Sequence, residues 1–267
     1  MNNNKTAEYW NNSADKWYEN ADFYIEQIIE NPEIAFPPKV LAFIKKSFSS
    51  LKGLNICVPS SGDNTAVFAF HLLGAKVCSV DISDKQIENA KRIADKRNWD
   101  IEFVCDDSMS LDKLKDDTFD LVYTSNGVHV WIPDLQSMYS SFNRILKAEG
   151  SYIFFETHPM IRPFDDCDSE IKIVKEYKEV GPFSDDGVNE YAWRMEDFMN
   201  SLVNSSFEIK EMSEFNSSSQ DFIKYDYIYD SVEERNRDNG RLYDWKENPW
   251  AALPQCLGLW SRKKRTK

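Results

Sequence analysis

The stretch from Leu54 to Asp81, LNICVPSSGDNTAVFAFHLLGAKVCSVD, constrains this chain more than any other. An apolar, β-leaning run from Leu54 to Val58 stops at Pro59. A short turn, Ser60-Ser61-Gly62-Asp63-Asn64, leads into an apolar stripe at helical spacing, Val67, Phe68, Phe70, Leu72 and Leu73. Gly74 ends that stripe, and a second apolar run, Val77 to Val80, finishes on Asp81. Strand, tight turn, helix, strand and acid, in that order, open a doubly wound α/β sheet, which takes ligands at the carboxyl edge of its strands. The turn needs positive φ, which Gly62 tolerates fully and Asn64 better than most residues. A helix beginning at Thr65 offers unpaired N–H groups and a positive dipole end. Asp81, at the carboxyl end of its strand, is placed to accept hydrogen bonds from both hydroxyls of a ribose.

The same rhythm continues downstream. Residues 82–97 read as a helix with Ser83 as N-cap and a buried stripe of Ile87, Ala90, Ile93 and Ala94. Ile101 to Val104 reads as a strand that runs into Cys105-Asp106-Asp107-Ser108. Phe119 to Thr124, FDLVYT, is the near-continuous apolar run of a parallel strand covered on both faces. Next come Ser125-Asn126-Gly127-Val128-His129-Val130-Trp131-Ile132-Pro133-Asp134 and a helix from Leu135 to Leu146. Ala148-Glu149-Gly150 closes that helix, with Gly150 suited to a left-handed cap. Later strands are expected near 151–156, 207–214 and 255–261. The seven strands imply a Rossmann-like, mostly parallel α/β sheet with helices on both faces. The last pair lacks a long helix between its members, which implies an antiparallel excursion at one edge.

On these residues the chain resembles the class I S-adenosylmethionine-dependent methyltransferases, of the small-molecule type. The family turn Gly-x-Gly-x-Gly maps onto Ser60, Gly62 and Asn64, and the family's strand-end acid maps onto Asp81. Two of the three glycines are replaced. The most specific match after Asp81 is the FDLV strand, its small polar stretch, an apolar-His pair and Pro133-Asp134 before a helix. The resemblance covers residues 50 to 160 well and 193 to 261 loosely. It implies S-adenosyl-L-methionine as cofactor, held by Ser60, Gly62, Asn64, Asp81, Ile82, Asp107, Ser108 and Ser125. In that reading Asp107 meets the adenine amino group, and Ser108 gives the ring a backbone N–H. The N-terminal helices of the family fold over the cleft, which implies a helical cap over residues 1–50. Its aromatic residues Trp10, Trp17 and Tyr18, with Trp131, would stand on the acceptor side; ordinary packing of these rings against the core is the competing reading. The remaining 51–267 would form the methyltransferase domain, with the acceptor-binding insertion at about 160–192.

Methyl transfer from a sulfonium asks the protein for alignment and exclusion of water, not for a nucleophile or a metal. The sequence agrees, having no metal-spaced His/Cys cluster and no nucleophile elbow. A base is needed only for an acceptor atom that carries a proton. His129 and His158 follow strands at the carboxyl edge and are the candidates, with Glu156 beside them; each histidine also has a bland reading as a satisfied packing residue. His71, on a helix face, reads as structural. Net charge of −13 argues against a phosphate backbone as substrate. No apolar run reaches membrane-spanning length and no basic-then-apolar leader is present, and five cysteines without a C-x-x-C pair suit a reducing cytoplasm. The partner expected is therefore a small-molecule methyl acceptor. Two other readings compete. A nicotinamide-dependent oxidoreductase would want glycine where Thr65 stands. A non-catalytic S-adenosylmethionine- or S-adenosylhomocysteine-binding protein on the same scaffold is motivated by the replaced glycines.

Overall fold

In a computed structural model of the chain, residues 3–18, 21–165, 171–185, 187–216, 229 and 231–265 are described. The first three strands are β1 (Asn55–Pro59), β2 (Lys76–Asp81) and β3 (Glu102–Cys105). They are followed by β4 (Phe119–Thr124) and β5 (Leu146–Thr157), and later by β6 (Phe183–Asp185), β7 (Val188–Glu190), β8 (Phe207–Phe215) and β9 (Cys256–Lys263). Seven of these form one sheet in the order β3-β2-β1-β4-β5-β9-β8, and β6 and β7 form a separate hairpin. The pairs from β3 through β5 are all parallel. β9 runs antiparallel to both β5 and β8, so the expected antiparallel excursion is the β8–β9 pair, with β9 inside the sheet and β8 at its edge.

Both faces are covered, which is why the inner strands read as continuous apolar runs. One core packs α3 (Pro38–Ser47), α4 (Thr65–Leu72) and α5 (Asp84–Arg97) over Ile56, Val58, Tyr123 and Ile153. The other packs α6 (Leu135–Ile145) and α7 (Met195–Asn204) over Val122, Tyr152 and Phe154. Helix starts are set by local chemistry: Ser83 Oγ accepts the Gln86 N–H at 3.1 Å, and an Asp134 carboxylate oxygen accepts the Ser137 N–H at 3.0 Å. The first fifty residues divide. α3 buries Val40, Phe43 and Ile44 and packs on β5 and β9, so it is part of the sheet's covering layer. Two further helices precede it, α1 (Asn3–Tyr18), which lies along α5, and α2 (Ala21–Glu30), which packs on α4.

Two local expectations are corrected. The left-handed residue after α6 is Glu149, at φ 61°, not Gly150. A Cβ at Gly150 would stand 2.9 Å from the Lys147 carbonyl and 3.2 Å from that of Phe119, so the glycine serves close backbone approach. β5 also begins at Leu146, directly after α6, five residues before the predicted start.

Candidate functional site

The tight turn after β1 holds three alternate residues in the left-handed region: Ser60 at φ 50°, Gly62 at 53° and Asn64 at 63°. Only the glycine adopts this freely; elsewhere it costs roughly 1–2 kcal/mol per residue. Both costs are met locally. Ser60 Oγ lies 2.7 Å from Ser108 Oγ. Asn64, fully buried, donates from Nδ2 to the Gly62 carbonyl at 2.8 Å and accepts the Ser79 hydroxyl at 2.6 Å. Asn64 therefore braces the turn from behind.

At the carboxyl edge, above this turn, lies a cavity of about 980 Å³, the scale of small-molecule sites. On one side Ser60, Gly62, Asp81, Ile82, Asp107 and Ser108 line it, with Ser125 on its floor. Asn64 is not among its lining residues. On the other side stand Trp10, Trp131, Tyr191, Val188 and Phe155. These rings come from separate segments of the chain. Trp131 meets Trp10 at 5.3 Å and Tyr9 at 5.4 Å between centroids, and Tyr191 donates its backbone N–H to the Val130 carbonyl at 2.8 Å. Thus α1, the loop after β4 and the segment after β7 close one end together. Val188, Asn189 and Tyr191 fall in the stretch expected to cover the site.

Asp81 is 6% exposed. Its two carboxylate oxygens accept the Gly62 N–H at 3.0 Å and the Ser83 N–H at 2.9 Å, which leaves lone pairs on both for a ligand. Burial pushes its pKa above the ordinary carboxylate value, against the pull of the Ser83, Gly62 and Ile82 amides. Burial likewise raises Asp107, whose Oδ1 accepts the Met109 N–H at 2.9 Å. Asp134 goes the other way: burial raises it, but the hydroxyl and N–H of Ser137 outweigh that and hold it low.

Neither histidine is on the cavity wall. His129 is 1% exposed, its Nδ1 2.9 Å from Glu156 Oε2 and its Nε2 2.9 Å from the Tyr139 hydroxyl. Glu156, equally buried, also accepts the backbone N–H groups of Gly127, His129 and Thr157. Burial pushes its pKa up, yet the His129 hydrogen bond and the surrounding charges bring it below the usual value. His158 is 2% exposed; its Nδ1 accepts the Met160 N–H and its Nε2 lies 2.8 Å from Glu214. Of the two readings of these histidines, this geometry favours satisfied packing residues over groups that meet an acceptor. Both sit at the carboxyl edge, but their side chains turn into the protein and their nitrogens are occupied. Glu156 and His129 fix the loop that forms the cavity floor.

Tyr18 also stands outside the wall and acts on the turn. Its hydroxyl donates to the Gly62 carbonyl at 3.2 Å and accepts from Asn64 Nδ2 at 3.2 Å. The side chain of Trp17 lies outside the described residues. Sequence reasoning missed Asn11 and Asp15. Asn11 accepts the Ser83 hydroxyl at 2.5 Å, and Asp15 accepts from Asn89 Nδ2 at 3.2 Å, which latches α1 along the start of α5. Their spacing with Tyr18 puts all three on one face of α1 and was the available signal.

The strand-end wall of the cavity, from Ser60 to Pro133, falls in a stretch that matches a known family, whereas Trp10, Phe155, Val188 and Tyr191 lie outside it. A profile described as a methyltransferase domain matches residues 59–154. An uncharacterised methyltransferase of Bacillus subtilis, YbaJ, is 26% identical over 180 residues, which is 67% of this chain and 66% of YbaJ. Sterol 24-C-methyltransferase of Pneumocystis carinii is 24% identical over 157 residues, 58% of this chain and 40% of that protein. The matched stretches therefore span less than two thirds of either relative. Among solved structures, an S-adenosylmethionine-dependent methyltransferase from Mesorhizobium loti superposes with a TM-score of 0.63 at 20% identity, covering 83% of this chain and 95% of that one. That likeness speaks for the fold.

Proposed function

Since the chain carries a methyltransferase domain on the class I S-adenosylmethionine-dependent fold, we propose that it transfers a methyl group to a small-molecule acceptor. The observation that carries the reading is that one cavity is lined both by the polar groups Ser60, Asp81, Asp107 and Ser108 and by the rings of Trp10, Trp131 and Tyr191. The polar end fits the cofactor. Gly62 leaves open space where a Cβ would stand, so a ligand can approach the backbone there. Asp81 keeps acceptor capacity for paired hydroxyls, and Asp107, Ser108, Ile82 and Ser125 complete that wall. When bound, S-adenosylmethionine supplies a methyl group already activated by its sulfonium.

The chain's own residues do the rest. Trp10, Trp131 and Tyr191 remove water from the acceptor end and restrict how an acceptor lies. Glu156 and His129 hold the floor loop in register with α6 through Tyr139. Among the described residues no group of three metal-ligating side chains occurs and no helix is long and apolar enough to cross a membrane. The reading includes a cytoplasmic setting, supported by the free Cys57, Cys78 and Cys105, and a substrate other than nucleic acid, supported by the charge of −13.

The Ser60–Ser108 contact favours a second reading, a binding protein without turnover, because it places two hydroxyls in the cofactor wall where backbone alone would leave room. Calorimetry with S-adenosylmethionine and S-adenosylhomocysteine tests both. Micromolar binding of each, abolished by Asp81→Ala with the fold retained by circular dichroism, supports the site. Unchanged affinity in Asp81→Ala refutes it. Binding without methyl transfer across a broad acceptor panel favours the second reading.

A further inference from the structure

A second cavity, of about 610 Å³, opens at the carboxyl end of β5 beside the first. Asn126 lines both, and Asn189 of the first wall is adjacent in sequence to Glu190 of the second. The Thr157 hydroxyl donates to Asn126 Oδ1 at 2.8 Å, which leaves the Asn126 Nδ2 donors at the junction. Apart from these, the polar wall consists of Arg162, Asp165, Lys175, Glu190 and Gln255.

Two of these charges are unlike the others. Lys175 lies 4.2 Å from the centre of the Phe183 ring and has further partners, as does Asp165. Arg162 has a side chain only 28% exposed, and among the described residues its one ion-pair contact is with Glu156 Oε1 at 3.9 Å. Glu156 already accepts three backbone N–H groups and the His129 ring, so it does not satisfy the guanidinium's donors. Glu190, half-buried, has neither hydrogen bond nor ion pair on its carboxylate among the described residues. Arg162 and Glu190 thus face one cavity with opposite charges and do not pair with each other. Half-buried charges without partners are unfavourable. A ligand bearing both complementary charges would satisfy them at once.

We propose that the second cavity receives the zwitterionic head of an α-amino acid, its carboxylate on Arg162 and its ammonium on Glu190. Under the methyl-transfer reading, on which this assignment of the acceptor rests, the amino acid's side chain passes Asn126 into the ring-lined cavity. The methylated atom then lies on that side chain and not on the α-nitrogen, which Glu190 retains. A guanidinium suits the carboxylate because it offers two parallel donors to its two oxygens.

The test uses four probes of eight carbons each: 2-aminooctanoate, octanoate, octylamine and octanol. Each is titrated by calorimetry into the full chain, free and saturated with S-adenosylhomocysteine. The expected result is at least tenfold tighter binding of 2-aminooctanoate than of either singly charged probe. Arg162→Gln should erase its advantage over octylamine, and Glu190→Gln its advantage over octanoate. Neither variant should change the affinity for S-adenosylhomocysteine, and both should keep the fold by circular dichroism. Equal binding of all four probes, no binding of any, or a 2-aminooctanoate advantage that survives both substitutions overturns the proposal. Failure of S-adenosylhomocysteine to bind overturns the methyl-transfer reading instead, and the probe series on the free chain still decides the cavity.

Discussion

Replacing Glu156 with glutamine removes one charge and almost no volume, so its effect is decided by hydrogen bonding. One carboxylate oxygen accepts the N–H groups of Gly127 and Thr157 at 2.9 and 2.8 Å; the other accepts the N–H and Nδ1–H of His129 at 3.1 and 2.9 Å. An amide has one oxygen, so its NH2 must face two donors. Turned towards His129, it can donate to Nδ1 if the imidazole changes tautomer, but the His129 N–H loses its acceptor. Turned the other way, it orphans both Gly127 and Thr157. A buried donor left unsatisfied costs about 1–3 kcal/mol, and the surviving bonds lose their charge assistance. Relief of carboxylate burial offsets part of this. The offset is the smaller contribution, since the Glu156 pKa lies below the usual value despite complete burial. The expected loss is about 2–4 kcal/mol, read as a lower urea midpoint with unchanged slope. The pH dependence has a definite sign. A depressed folded-state pKa contributes stability that is present above the unfolded value of about 4.3 and is lost as pH falls through the folded value. Glu156→Gln should flatten that acid limb. A loss below about 0.5 kcal/mol, the level of an ordinary surface change, with the acid limb intact, would refute the account of the floor loop.

Three further outcomes are expected. His158 accepts the Met160 N–H on Nδ1, so it is the neutral tautomer, and burial lowers its pKa against the pull of Glu214. Its contribution is complete above the unfolded pKa of about 6.5 and declines as pH falls; the drop in melting temperature between pH 7.5 and 5.5, two assay conditions spanning roughly that value, should shrink in His158→Asn. Tyr18→Phe removes one hydroxyl from the Gly62 turn, worth about 1 kcal/mol, and should speed S-adenosylhomocysteine release about fivefold in stopped flow; an unchanged rate means that α1 does not hold the turn. Ser60→Gly relieves left-handed strain but loses the Ser108 contact and adds unfolded-chain entropy. Those effects should cancel to within about 1 kcal/mol in denaturant titrations, and a larger shift of either sign would show that one of them has been misjudged.

Much of the site's frame was legible because it obeys local rules. Ser83 and Asp134 cap helices through bonds to residues three positions on, and periodicity marked the strand that ends on Asp81. Gly62 and Asn64 adopt the left-handed backbone that the turn demanded. Direction of a side chain at a strand's end is a different matter. His129 and His158 both reach the carboxyl edge, yet their rings turn inward to Glu156 and Glu214, which lie 27 and 56 residues away in sequence. Nothing local distinguishes that from a ring facing a cavity. The second cavity was illegible for the same reason, since Asn126, Arg162, Glu190 and Gln255 meet only through the packing of four separate segments. The exchange of roles between Glu149 and Gly150 shows a subtler limit. The sequence offered a glycine and a bend, but the crowding by Lys147 and Phe119 that decides which residue bends is tertiary.

The position of β9 has a consequence for how the chain comes to be folded. Residues 256–263 form an inner strand, bonded to β5 on one side and β8 on the other. During synthesis, the parallel strands through β5 can assemble on nearby partners, but β8 has no place in the sheet until β9 arrives. Until then β5, whose Tyr152–Phe155 run is apolar, presents an open edge of unpaired N–H and C=O groups over Ser151–Thr157. The growing polypeptide is most exposed to edge-to-edge association in that interval. A nick ahead of β9 that releases the end of the chain would recreate the same hazard in the finished molecule, stripping two strands from the sheet where the cavity-facing ends of β4 and β5 depend on it.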